Sequence, residues 1–176
     1  MKDRATYAIR KTVLSFILLH NFRQKRTYMY NDQLVKLPFK SKELIEELKS
    51  NSQIIEIKAG SEILKMGQFV KVIPIVLEGA IKVFTQNEDR DLLLYYIEPR
   101  ESCIMSFTAG LNNEPSKVYA SAESDTVAML IPTDEVRKLI KKFPEFNAIF
   151  FEQYNLRYTD LLDTINQVIF TKLDDR

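Results

Sequence analysis

Between Ile54 and Ile97 the apolar residues stop recurring at helical spacing and come instead in short runs, most of them β-branched or aromatic. The runs are Ile55 with Ile57, Ile63 with Leu64, Val72 to Leu77, Ile81 with Val83, and Leu92 to Ile97, parted by Gly60, Gly67 and Gly79 where the backbone must turn. Asn87-Glu88-Asp89-Arg90 is polar and reads as a hairpin tip. The pattern predicts about eight short strands. Upstream, Ser41 followed by Glu43 to Lys49 carries Leu44, Ile45 and Leu48 on one face, which predicts an amphipathic helix capped by Ser41. After Pro132, Thr133 or Asp134 caps a helix through Ile140 that stops near Pro144, and Pro144 suits the first turn of another. That last helix runs to about Phe170, ~40 Å at 1.5 Å per residue, longer than a small β domain can cover.

Phe151, Tyr154, Tyr158, Leu161, Ile165 and Val168 follow one another at spacings of 3, 4, 3, 4 and 3, the seam of a two-stranded coiled coil. Leu162 with Ile169 widens the apolar face. One face can then pack on the parent domain while the seam meets a twin helix across a two-fold axis. A long helix lying on its own domain in a monomer is the alternative.

The chain has 176 residues, of which 45% are apolar and 11% aromatic, enough for one sizeable core with a projecting helix. A single cysteine, Cys103, excludes an internal disulfide framework, and a cytoplasmic location is the default expectation. No apolar run approaches the ~20 residues that span a bilayer. The longest, Val13 to Leu19, is followed by a basic stretch and by no small-residue cleavage site. Residues 1–28 hold seven Lys/Arg and one Asp, a net of +6, whereas the rest of the chain is net −5. An acidic body of that kind does not grip a phosphate backbone by itself. Met29 reads as a natural domain start with 1–28 as an upstream extension; the alternative is an N-terminal helix, since Ile9, Val13, Phe16, Ile17 and His20 recur at helical spacing.

Enzyme chemistry finds little to work with. His20 is the only histidine and lies outside the β region, so neither a cupin-type metal site nor a Ser-His-Asp or Cys-His nucleophile can be built. No catalytic residue and no metal ligand is assigned. Glycines are too few for a phosphate-cradling loop, and Glu46 with Glu47 reads as a solvated helix face.

The stretch Lys58 to Phe84, KAGSEILKMGQFVKVIPIVLEGAIKVF, together with PTDEVRKLIKKFPEF and the heptad-patterned helix, resembles the sensor half of Crp/Fnr-type transcription regulators. The resemblance covers roughly residues 38 to 173. It implies a mainly β fold: a double-stranded β-helix, or jelly roll, of cyclic-nucleotide-binding type over residues 29–143 with flanking short helices, then a dimerisation helix and hinge over 144–176. It implies an effector-sensing, non-enzymatic role, with signalling through a shift of the paired long helices.

Members that bind cyclic nucleotides carry Gly-Glu, ten residues, then Arg-Ser-Ala; the Glu holds the ribose hydroxyl and the Arg pairs with the phosphate. Aligned on Pro99 and the strand VAMLIP, the Gly and Glu positions here fall on Ile104 and Met105, and the Arg position on Pro115, followed by Ser116 and Lys117. The polar pair that reaches the purine falls on Leu161 and Leu162. Cyclic AMP is therefore not expected as the effector, with Lys117 the one substitute cation. The remaining pocket, Cys103, Ile104, Met105, Phe107 and Tyr119 with the hydroxyls of Ser106 and Ser116, suits a neutral or partly apolar ligand, or none, in which case these residues are ordinary core.

The cofactor is unknown. Haem or redox sensing through Cys103, with His20 as a further axial candidate, and a ligand-free dimerisation scaffold are the alternatives. The resemblance also implies a homodimer through the last helix, no membrane partner, and DNA binding only through a winged helix-turn-helix outside these residues. The final residues, Thr171 to Arg176, resemble the hinge before that unit, in a piece of a longer regulator or in a stand-alone sensor.

Overall fold

The computed structural model describes residues 37, 39–87 and 90–174, with side chains up to residue 167 except at 87. The extension 1–28, the start at Met29, the hairpin-tip residues Glu88 and Asp89, and the side chain of Val168 lie outside the described residues.

Helix α1, Lys42–Asn51, forms where expected: the Ser41 hydroxyl accepts from the Leu44 N–H at 3.2 Å, and Leu44 and Leu48 are fully buried. Seven strands follow among the described residues: β1 Gln53–Ile57, β2 Glu62–Leu64, β3 Val72–Glu78, β4 Ile81–Asn87, β5 Arg90–Ile97, β6 Tyr119–Ala122 and β7 Thr126–Pro132. They make two antiparallel sheets, ordered β1-β7-β3 and β2-β6-β4-β5, so the chain crosses repeatedly from one sheet to the other. This is the jelly roll that the family resemblance implied. Strands β3 and β7 hold the densest apolar runs, with Ile73, Ile75, Val76, Ala128, Met129 and Ile131 all fully buried.

Helix α2, Ile104–Asn112, stands between β5 and β6, in a stretch read from sequence only as pocket lining. It begins at Cys103, whose Sγ accepts from the Ser106 N–H at 3.3 Å, and ends at Asn113 in the left-handed region. Gly110 lets it lie close to its neighbours, because a Cβ there would come within 2.7 Å of Thr133 Cγ2.

Helix α3, Thr133–Lys142, departs from expectation at both ends. Its cap is Pro132 with no side-chain cap bond, Thr133 is already helical, and Asp134 and Glu135 instead face the positive end of the helix dipole. It passes Ile140 and stops before Phe143, whose extended backbone is what a following proline demands. Helix α4, Pro144–Asp174, then runs past Phe170. Its first turns pack on the roll: Phe146 meets Phe39 with ring centroids 5.8 Å apart, and Phe150 stacks on Phe107 at 3.7 Å.

Arg100 adopts φ 77° in the turn closed by the Glu101 N–H to Glu98 C=O bond of 3.0 Å. An exposed side chain held in the left-handed region costs about 1–2 kcal/mol, part of which glycine recovers. Arg100→Gly is expected to stabilise the fold by roughly 0.5–1 kcal/mol, read as a rise of about 2–3 °C in Tm.

Candidate functional site

The inner faces of the two sheets enclose Val76, Ile81, Val83, Ile97, Val118 and Ala120, joined by Cys103 from the start of α2. Half-buried Ile63, Leu64, Tyr95 and Met105 pack against them. The Tyr95 hydroxyl and the Cys103 Sγ meet at this apolar interior, 3.8 Å apart. Burial, then the neighbouring Cys103, pushes the Tyr95 phenol well above its usual pKa, so it stays a neutral hydroxyl.

The first turn of α2 would ordinarily offer free N–H groups to an anion. Here the Ser106 N–H goes to Cys103 Sγ and the Met105 backbone faces the Tyr95 hydroxyl, while the Phe107 N–H to Cys103 carbonyl bond of 2.9 Å is the first regular bond of the helix. The Cys103 thiol thus takes up one of the donors that an anion would need.

The residues singled out from sequence are dispersed. Cys103 and Met105 face the interior together with Tyr95. Ile104 and Ser106 are buried within α2, whereas Phe107 turns to Phe150 of α4. Ser116 is buried, but its hydroxyl closes its own turn, donating to the Val118 carbonyl at 2.8 Å. Pro115 bridges to Phe69, and Lys117 is exposed. Tyr119 alternates with buried Ala120 and stacks on Phe84 at 5.4 Å, on the opposite face of its strand. Leu161 and Leu162 are exposed on α4, at 55% and 42%.

Sequence reasoning missed the residues that tie α4 to the roll. Gln153 Oε1 accepts from the Ser102 N–H at 2.9 Å, and the Ser102 hydroxyl donates to the Pro74 carbonyl at 2.6 Å. One turn later, Arg157 Nη2 donates to Glu101 Oε2 at 2.7 Å and to the Tyr96 carbonyl at 2.9 Å. The same guanidinium lies 4.7 Å over the Tyr95 ring. An arginine set beside a run of apolar seam positions was the available signal.

The pattern of the cyclic nucleotide-binding domain family matches residues 54–143, from β1 into the turn after α3 and just over half of the chain. The chain belongs to the cyclic nucleotide-binding domain family. Solved structures share its fold at low sequence identity. The c-di-GMP responsive global regulator CLP of Xanthomonas campestris aligns with a TM-score of 0.64 and 15% identity over 74% of this chain and 65% of that one. A structure from Eubacterium rectale, described as a Crp/Fnr-family transcriptional regulator, gives 0.63 and 19% over 74% and 61%. The catabolite activator protein of Thermus thermophilus gives 0.58 and 22% over 72% and 60%. The chain thus spans less than two thirds of the length of each. No curated protein matches the sequence.

In this cyclic nucleotide-binding domain, the segment between β5 and β6 holds helix α2, and Pro115 and Lys117 beyond it are both exposed. Among the described residues no cluster of His, Cys, Asp or Glu could hold a metal ion, and no helix is long and apolar enough to cross a membrane.

Proposed function

We propose that the chain is the effector-sensing and dimerisation domain of a Crp/Fnr-type transcription regulator, one whose pocket does not take cyclic AMP. The observation that carries this reading is the first turn of α2, where the Ser106 N–H is already met by Cys103 Sγ and the Met105 backbone faces the buried Tyr95 hydroxyl. A cyclic phosphate would lose its guanidinium partner and would have to displace the Cys103 contact as well. The lining favours a neutral, partly apolar effector.

The output is α4, whose seam residues Phe151, Tyr154, Tyr158, Leu161 and Ile165 are exposed in the single chain and would pair with those of a second copy. A cytoplasmic homodimer acting on DNA through a separate domain fits this arrangement. A role as sensor and not as enzyme fits it too.

The test is the melting temperature of the purified protein with cyclic AMP, cyclic GMP, cyclic di-GMP, haem and a panel of neutral metabolites. A nucleotide present at about a thousand times its Kd adds ~4 kcal/mol, a shift of many degrees. We expect no shift with the three nucleotides and a clear one with a neutral compound. A shift of several degrees with cyclic AMP would defeat the reading of the cassette. Silence across the whole panel would leave the ligand-free scaffold.

A further inference from the structure

Among the described side chains of α4, Arg157 is the last that is not exposed: from Tyr158 to Gln167 every one is exposed. Its guanidinium is clamped by Glu101 and the Tyr96 carbonyl and covers the outer face of the Tyr95 ring at 4.7 Å. The other end of the same tyrosine reaches inward, its hydroxyl against Cys103 Sγ at 3.8 Å. Tyr95 thus spans the wall of the roll, with α4 on its outside and the interior on its inside. Cys103 behind it is only 1% exposed.

We propose that Tyr95 and Arg157 form a latch: the ring closes the interior at Cys103, Arg157 holds the ring shut, and the way in opens only as α4 lifts from Glu101. The proposal rests on reading the interior as the sensing pocket and α4 as the output, and it gives that pair a physical link. An effector that displaces the phenol removes the surface on which Arg157 lies. Lifting α4 conversely frees the phenol. The coupling is reciprocal, as linkage requires. Gln153, one turn earlier on Ser102, is the pivot that remains when Arg157 lets go.

The chain has one cysteine, so its reactivity reports the state of the latch directly. The full 176-residue protein is treated with dithiobis-nitrobenzoate as wild type, Arg157→Ala, Tyr95→Ala, the double variant, and Leu156→Ala, whose side chain is 44% exposed beside the latch. Wild type and Leu156→Ala are expected to react slowly, and Arg157→Ala about tenfold faster or more, because local opening no longer breaks the clamp. Tyr95→Ala should be at least as fast, and adding Arg157→Ala to it should change nothing further, since the arginine acts through the ring. Rates are repeated in low urea: local opening is nearly insensitive to it, whereas exposure through global unfolding climbs steeply.

The latch is overturned if Arg157→Ala reacts at the wild-type rate, if Leu156→Ala is equally accelerated, if the two single effects multiply in the double variant, or if the acceleration follows urea as global unfolding does. No effector is used. The latch can therefore stand while the ligand panel fails, and it can fall while a ligand is found.

Discussion

Replacing both Leu161 and Ile165 with Asp is expected to convert a dimer into a monomer without unfolding the roll. Both residues are exposed in the single chain, at 55% and 42%, with Tyr158 at 60% and Phe151 at 74% along the same helix. Nothing in the chain's own core depends on them. In a pair of α4 helices the same positions would be buried as seam residues, and each substitution would occur twice across the two-fold axis. Placing carboxylates in an apolar seam should cost at least about 4 kcal/mol in total, on the order of a thousandfold in Kd. Sedimentation should show the wild type at twice the mass of one chain and the variant at one, both with the same β-rich circular dichroism. A wild type already monomeric at tens of micromolar would remove α4 as a dimer helix. A variant that stays dimeric would move the interface elsewhere, with the exposed Leu92, Leu93 and Leu94 of β5 as the next surface to alter.

Most strands were legible because they place apolar, often β-branched, residues at period two or in a short run, whereas β6, Tyr119–Ala122, has no β-branched residue and was not read as a strand. Ile75, Val76 and Leu77, and Ile81 with Val83, lie within strands and in the core. Helix α2 was not legible: Ile104 to Asn112 reads IMSFTAGLN, rich in residues that neither favour nor forbid a helix, and its cap is a thiol. Its contacts are tertiary: Gly110 lies close to Thr133 and Ile73, and Phe107 stacks on Phe150 of α4.

The placement of Tyr119 was available in principle, since alternation with Ala120 and Ala122 sends it to the outer face. The latch was not. Arg157 meets Glu101 across 56 residues and the Tyr96 carbonyl across 61, and no local pattern in one sequence encodes pairs so far apart.

Where the chain crosses between the sheets, one substitution should do disproportionate damage. The β1–β2, β3–β4 and β6–β7 turns each pass from one sheet to the other, and they are laced together at one corner of the roll. The Gly60 N–H donates to the Ala122 carbonyl at 2.8 Å, the Ala80 N–H to the Ser124 hydroxyl at 3.1 Å, the Glu123 N–H to the Ala80 carbonyl at 2.9 Å, and Lys58 pairs with Asp125 at 2.7 Å. Gly60 and Gly79 both have positive φ, 77° and 79°, but only Gly79 is crowded. A Cβ at 79 would press on the Asp125 carbonyl and stand 2.8 Å from both Cα and Oγ1 of Thr126, whereas a Cβ at 60 meets nothing within 4 Å.

Gly60→Ala should therefore cost only the left-handed strain, about 1–2 kcal/mol. Gly79→Ala adds overpacking against backbone that cannot retreat without breaking the corner, for roughly 3–5 kcal/mol in all and a fall in Tm of the order of 10 °C. Urea denaturation of the two variants isolates the difference. Equal losses would mean that the β6–β7 turn yields freely, and that the corner is not what holds the two sheets in register.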